Sequence, residues 1–435
     1  MAPRPLRHRG TLSAQSSRPM QLPSSAASPA SPAAAEAAAS TETVSALSIA
    51  ALALAAFGSG VSLRVNDALL PRLAGEFHVT LAEAAQVVSV FAIAYGLAQL
   101  FFGPTGERHG KYRVIAWGCI GCALASALCG VAPGFDALRA LRGLAGVTSA
   151  AIIPLSMAWI GDVVPYEKRQ PVLARFLIGQ ILGLSAGVWL GGFAADHLGW
   201  RVPYFILAAL FTVVSVALFI VERGLPAHAR KRQPPGAGSA LGRIAGDFGY
   251  VLSQRWARVI LVSVFLEAVA LYGPFAFIAA HLHERFNLSL SAAGSLLMLF
   301  GFGGFIFALA SGRLVSRLGE VGLARWGGSF MAVSMALVAF APHWALAVPG
   351  CLGMGLGFYM LHNTLQVNAT QMAPQRRGPA VSAFASLFFL GQSAGVVIAG
   401  WLMARWGSTV TIALGAAGVL AVAWTFGGLR AGKGA

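Results

Sequence analysis

The chain has 435 residues, of which 57% are hydrophobic and only 11% charged, and its net charge is +16 at pH 7. Soluble domains carry about 25% charged residues, so the composition excludes an ordinary soluble fold and points to a chain embedded in lipid. The basic balance alone would allow a nucleic-acid partner, but its distribution along the chain decides otherwise.

Residues 1–43, including SSAASPASPAAAEAAAS, are rich in Pro, Ser and Ala and read as a disordered tail. The apolar run after them is too long for the core of a cleavable signal and leads into further runs. Twelve such runs lie near 44–70, 82–102, 114–132, 138–161, 172–194, 202–221, 257–280, 291–311, 322–341, 345–370, 380–401 and 408–428. Rising about 1.5 Å per residue, each is long enough to cross a hydrocarbon core about 30 Å thick. Lipid does not tolerate unpaired backbone groups, and nothing alternates with period two as a barrel would, so the runs read as helices. The expected fold class is all-α integral membrane, with a first half at 44–222, a linker at 223–256, a second half at 257–429 and a short tail at 430–435.

If the first run begins in the cytoplasm, the gaps on that side (103–113, 163–171, 223–256, 312–325 and 373–379) hold sixteen Lys and Arg. The opposite gaps hold four: Arg72, Arg201, Arg285 and Arg405. This asymmetry predicts both termini in the cytoplasm. It makes anionic lipid, not nucleic acid, the expected neighbour of the positive charge. Cys119, Cys122, Cys129 and Cys351 all fall inside apolar runs. No second ligand pair accompanies the C-x-x-C, so neither a metal nor a cofactor is expected. The spacing of Gly118, Cys122, Ala125 and Cys129 reads as small-residue helix packing.

The stretch GPTGERHGKYR at Gly103–Arg113 has a degenerate copy, GRLVSRLGE, at Gly312–Glu320. Gly103, Arg108 and Gly110 recur as Gly312, Arg317 and Gly319, 209 positions later; Gly146 and Pro165 recur as Gly355 and Pro374 at the same offset. After a slip of one, Gly183, Gly187, Gly192 and Gly199 recur as Gly391, Gly395, Gly400 and Gly407. The chain reads as a parallel duplication of six helices, an arrangement that in transporters places the substrate site between the halves near the midplane.

Gly103, Glu107, Arg108, Gly110 and Lys111, with Arg113 following, resemble the G-x-x-x-[DE]-R-x-G-[RK]-[RK] signature of the major facilitator superfamily. Arg142 with Gly146 resembles that family's fourth-helix R-x-x-x-G motif. GQILGLSAGVWLGG, which carries Gly179, Gly183, Gly187, Gly191 and Gly192, resembles the fifth-helix motif of its proton-coupled antiporters, with Val188 in the proline position. AYGLAQLFFGP is similar to the twelve-span drug and metabolite efflux branch. The resemblance implies twelve helices in two bundles that rock against each other, and a glycine ridge packed on the second bundle to restrict proton leak. It also implies a gating loop in which Glu107, held by Arg108 or Arg113, meets the start of the eleventh helix near Pro379–Ser382, where a helix N-terminus favours an anion. Gly103 and Gly110 would allow the tight turn and close approach. The plainer reading of that loop is topological positive charge.

Charged residues inside spans are functional candidates by default. Glu267, midway along the seventh run with no basic residue one turn away, is the sharpest candidate for a proton carrier; its alternative is a neutral structural acid hydrogen-bonded to a neighbouring helix. Arg142 lies a turn inside the fourth run, and the resemblance implies a cavity or proton-relay role for it, whereas Arg139 is placed to snorkel. Arg64 and Asp67, three apart, can pair on one helical face, either as structure or as cavity lining. Tyr359, His362, Asn363 and Gln366 form a polar stripe on the tenth run. With Tyr95, Gln99, Gln180, Tyr272 and Gln392 they supply candidate substrate contacts, His362 reading as a hydrogen-bonded packing residue.

Other classes fit poorly. GLSAG and GQSAG match G-x-S-x-G, but that elbow needs a strand, a turn and then a helix, and here both copies sit in apolar runs. GERHGKY is one residue short of a phosphate loop and lacks its Ser or Thr. The expected function is therefore not enzymatic. It is export of a small organic compound, cationic or neutral, in exchange for protons by alternating access, with proton-coupled uptake of a sugar or organic solute as the alternative. A monomer in a bacterial inner membrane is expected, the Arg-, Ala- and Gly-rich composition hinting at a bacterial source.

Overall fold

Every regular element among the described residues is a helix, as apolar runs in lipid require. The computed structural model describes residues 45–230 and 240–434. The expected disordered tail and residues 231–239 of the linker lie outside them. The first half comprises α1 (Ala46–Arg64), α2 (Leu70–Phe77), α3 (Leu81–Ala84), α4 (Gln86–His109), α5 (Lys111–Gly130), α6 (Phe135–Ser149), α7 (Ile152–Val163), α8 (Tyr166–His197) and α9 (Val202–Arg223). After the linker helix α10 (Ala240–Ser253) come α11 (Arg255–Phe286), α12 (Leu290–Phe340), α13 (Ala347–Ala369) and α14 (Arg377–Gly434). Ten helical stretches among the described residues are long and apolar enough to cross a membrane.

Three boundaries differ from the sequence reading. The first run is interrupted, because α1 ends at Arg64 and turns occupy 65–69 before α2. GPTGERHGKYR is not a loop: α4 continues through it to His109, and Gly110 (φ 93°, ψ 121°) alone reverses the chain. Gly103 therefore makes no turn, and a side chain there would meet open space. The close approach falls instead at Gly106, where a methyl group would press on Leu155 of α7. Finally, α12 and α14 are each broken by a single glycine with non-helical backbone, Gly319 (φ 60°, ψ −178°) and Gly407 (φ 77°, ψ 172°). Connections of one residue barely interrupt the backbone ladder.

The backbone repeats the sequence offset. Among the described residues six have left-handed φ, and they fall into three pairs: His78 with Asn287, Gly110 with Gly319, and Gly199 with Gly407. Side-chain-free contacts repeat as well. A methyl group at Gly183 or Gly187 would strike the carbonyls of Phe57 and Val61, and one at Gly391 or Gly395 those of Phe265 and Val269, all 208 positions on. Gly146 lies against the carbonyl of Phe91 as Gly355 does against that of Phe300, both shifted by 209. Each half has its own apolar cluster, one built mainly from α1–α9 and one from α11–α14.

The halves join from their middle to one end. There Asp196 of α8 accepts hydrogen bonds from the N–H groups of Leu290 (3.3 Å) and Ser291 (2.6 Å) and from the Ser291 hydroxyl (2.6 Å), capping the start of α12. Near it Gly192 abuts the Leu290 carbonyl, and Gly400 of α14 packs on Ala82 of α3. At the opposite end Glu107, Arg108 and Arg113 are exposed, and among the described residues none of them has a partner.

Candidate functional site

The site begins where α1 breaks. The last carbonyls of a helix have no intrahelical donor, and that of Ser62 accepts from Arg142 Nη2 at 2.9 Å. Arg142 Nε donates to the Val87 carbonyl at 3.3 Å, and its guanidinium stacks 4.3 Å from the Phe91 ring centre. With its amide turned so that both ends find complementary partners, Asn66 accepts from Arg142 Nε (3.1 Å) and Nη2 (3.2 Å) and donates to Tyr204 Oη (2.5 Å). Hydrogen bonds to a charged group contribute about 1.5–3 kcal/mol each, so in this conformation Arg142 clamps the α1 break through neutral acceptors.

The clamped break presents Arg64 and Asp67. Arg64 Nη1 donates to Asp67 Oδ2 at 3.3 Å, both side chains being buried, and Asp67 Oδ1 has no hydrogen-bond partner. The two residues pair as the spacing predicts, but across the end of α1 and a turn rather than along one helical face. The Arg64 guanidinium reaches into the second half, where it lies 4.0 Å from the ring centre of Tyr272 and 5.2 Å from that of Phe275, both on α11.

One turn and a half away on α11, Glu267 is fully buried. It is not the unpaired acid that the sequence reading expects: His362 Nδ1 of α13 lies 2.9 Å from its Oε2. Helices distant in sequence supply the base that its own helix lacks. One proton serves this contact, either with the ring N–H donating to the carboxylate or with the carboxyl O–H donating to the ring. Glu267 Oε1 has no partner. Phe358 stacks on the imidazole at 4.8 Å, with Phe388 at 4.7 Å and Phe384 at 5.4 Å. Phe358 and Phe388 also stand edge-on to Tyr272, at 5.5 and 5.4 Å. An aromatic wall thus separates two ion-pair candidates, the buried Arg64–Asp67 from the first half and, from the second, Glu267 with the partly exposed His362.

The remaining predicted contacts divide. Tyr95 stacks on Phe389 across the halves at 4.1 Å. Gln99 is buried with its carbonyl oxygen unpartnered, and Gln392, one turn beyond Phe388, is fully buried with both amide atoms unpartnered. Tyr359 lies 6.4 Å from Phe300 beside the wall. Gln180 and Asn363 are half-buried and Gln366 is exposed. Arg139 does not merely snorkel, since it donates to Gln86 (2.6 Å) and pairs with Asp136 (3.0 Å). The four cysteines are buried and free. A cavity of about 460 Å³ is lined by Thr370, Gln371, Pro374 and Arg377, and an apolar groove of about 360 Å³ runs between α11 and α14; neither is lined by Glu267 or Arg64.

The gating residues are not engaged as the resemblance implies. Glu107 is held by neither Arg108 nor Arg113, and Lys111 instead forms an ion pair with Asp162 of α7 inside the first half. In the second copy Gly312 faces open space and Arg317 is exposed, whereas Glu320, the counterpart of Lys111, accepts from Arg430 (2.8 Å) and Asn368 (3.0 Å). The glycine ridge also faces elsewhere. Gly179, Gly183 and Gly187 lie on the backbone of α1 at Ala53, Phe57 and Val61, and Gly191 on Val65 in the turn that follows, all within their own half. Gly192 alone of the five meets the second half, and the face of α8 that packs on α12 carries Ser185 and Val188, opposite Gly301 and Gly294.

Sequence reasoning missed Asn66, Tyr204 and Asp196. Asn66 stands between the charged residues Arg64 and Asp67, which was a usable signal; nothing in the chain marks Tyr204 or Asp196 as partners of residues on other helices.

A family model described as Major Facilitator Superfamily matches residues 52–396. The chain is 27% identical over 338 residues to the uncharacterized MFS-type transporter YceJ of Bacillus subtilis (strain 168), covering 77% of this chain and 83% of that protein. It is 24% identical over 357 residues to the multidrug efflux protein YfmO of the same organism, covering 81% and 85%. Its fold is similar to the crystal structure of a mutant of the nucleoside transporter NupG, with a TM-score of 0.72 at 14% identity over 87% of this chain and 98% of that one. These proteins are transporters, not enzymes.

Proposed function

The chain belongs to the Major Facilitator Superfamily, and from that premise we propose that it exports a small organic compound across a bacterial inner membrane in exchange for protons. The observation that carries this reading is the Glu267–His362 pair, in which a fully buried carboxyl and a partly exposed imidazole share one proton behind an aromatic wall. Proton and cargo need only favour opposite states of one equilibrium to be exchanged. A second proton on the pair gives it a positive charge and disfavours a cationic amphiphile beside Tyr272, while its loss does the reverse. Counting the segments on either side of Gly319 and Gly407 separately gives twelve spans in two bundles of six, a reading supported by the paired left-handed residues and the paired glycine contacts. Both termini are proposed to be cytoplasmic on the distribution of Lys and Arg.

Alternating access needs the halves to part at one end when they close at the other. Asp196 on the start of α12 clasps the end remote from Gly110 and Gly319, and unpartnered Glu107 is proposed to cap the start of α14 in the opposite state. Asp196→Asn removes the charge from that clasp. It is expected to raise labelling of a cysteine placed at 290 from the outside several-fold, with labelling near 107 falling; unchanged labelling at both ends would exclude the clasp.

The function is tested in everted vesicles energised acid inside, to which cationic, neutral and anionic compounds are added. A compound that is exported collapses the pH gradient only where the protein is present. Alkalinisation of the medium when a compound is added to de-energised right-side-out vesicles would instead establish uptake with protons and overturn the direction.

A further inference from the structure

We propose that the cargo is a planar, delocalised cation of the guanidinium or amidinium type, and that Arg64 is a tethered occupant of the seat this cargo takes on the Tyr272 ring. The inference rests on the export reading for its purpose, but on the aromatic box alone for its chemistry. The box already holds such a group. The Arg64 guanidinium lies 4.0 Å from the centre of the Tyr272 ring, with Phe275 at 5.2 Å. The edges of Phe358 and Phe388 wall the ring, with interplanar angles of 80° and 89°. Behind that wall Glu267 has one oxygen without a partner.

A guanidinium is flat and weakly hydrated, so it stacks on a ring at lower desolvation cost than a compact ammonium. The same geometry therefore selects a flat cation over a tetrahedral one. It also disfavours an anion as cargo, because Arg142 is engaged by carbonyls and by Asn66, and Arg64 already has Asp67. Arg64 and Asp67 belong to one turn of the first half, whereas Tyr272 belongs to the second. When Arg64 leaves the ring it keeps its carboxylate, and the ring face becomes free. The empty transporter thus fills its own seat, and cargo enters by displacing a side chain rather than water alone.

The test is equilibrium binding of benzamidinium to the purified full-length protein in nanodiscs without a gradient. Arg64→Leu is expected to tighten binding on the order of tenfold, the scale of a desolvated cation–ring contact. Adding Tyr272→Leu should cancel that gain. Arg64→Lys, which keeps a charge beside Asp67, guards against misfolding and should give a smaller gain in the same direction. Binding that is weakened or unchanged by both Arg64 substitutions, or a gain that survives Tyr272→Leu, overturns the proposal, as does benzoate binding that is lost in Arg64→Leu. Because no gradient is used, failure of proton exchange in vesicles would leave these results standing, and their failure alone would remove the seat without touching proton exchange.

Discussion

Glu267→Gln is expected to abolish proton-driven export while gradient-independent exchange of labelled compound persists. Glutamine keeps the size of the side chain and can still hydrogen-bond to His362, whose Nδ1 lies 2.9 Å from the carboxylate in the parent protein. It cannot take up or release a proton. Glu267 is fully buried, and Phe358, Phe384 and Phe388 surround the imidazole it contacts. In energised vesicles, compound-induced collapse of the pH gradient should fall to that of vesicles without the protein. Collapse that continues in Glu267→Gln would transfer the proton to Asp67, whose Oδ1 is likewise buried without a partner. Asp67→Asn would then carry the loss. The effect is expected to be large because the substitution keeps the contact with His362 but removes the carboxyl that shares its proton.

The parts of this architecture that depend on neighbours along the chain were legible in the sequence. Twenty-residue apolar runs dictate helices because lipid leaves the backbone no other partner, and the turns at Gly110 and Gly319 were marked by glycines at a fixed offset. The Arg64–Asp67 pair was visible because its members are three residues apart. What could not be read is whatever crosses between helices. Glu267 reads as unpaired in the sequence because its base, His362, is 95 positions away. The glycines of α8 were legible as a ridge, but four of them face α1 and the turn that follows it, not the second half. Periodicity shows that residues share a face and not which helix covers it. GPTGERHG was misplaced as a loop for a related reason: its charged residues are tolerated in a helix that has run out of the lipid, and α4 stops only at the positive φ of Gly110.

That ridge supports the second large effect. Gly183→Val is expected to prevent the first half from packing, because a Cβ at this position would overlap the Phe57 carbonyl oxygen of α1. A backbone carbonyl inside a helix cannot swing aside as a side-chain tip can, so the helices must separate along the contacts of Gly179, Gly187 and Gly191 as well. Overpacking by a methylene or two typically costs about 1–3 kcal/mol, and a branched side chain against rigid backbone lies at or above the top of that range. Folded yield and melting temperature in detergent should drop sharply, and Gly391→Val should do the same in the second half through Phe265. Gly312→Ala, in an exposed helical position with nothing nearby, is the matched control. It should be neutral or stabilising by up to about 1 kcal/mol, the difference in helix propensity. A Gly183→Val protein that melts like the parent would mean that α8 does not rest on α1 as described. One that folds but leaks protons would restore the sealing role implied by the antiporter motif, and only that outcome separates a seal from a packing surface.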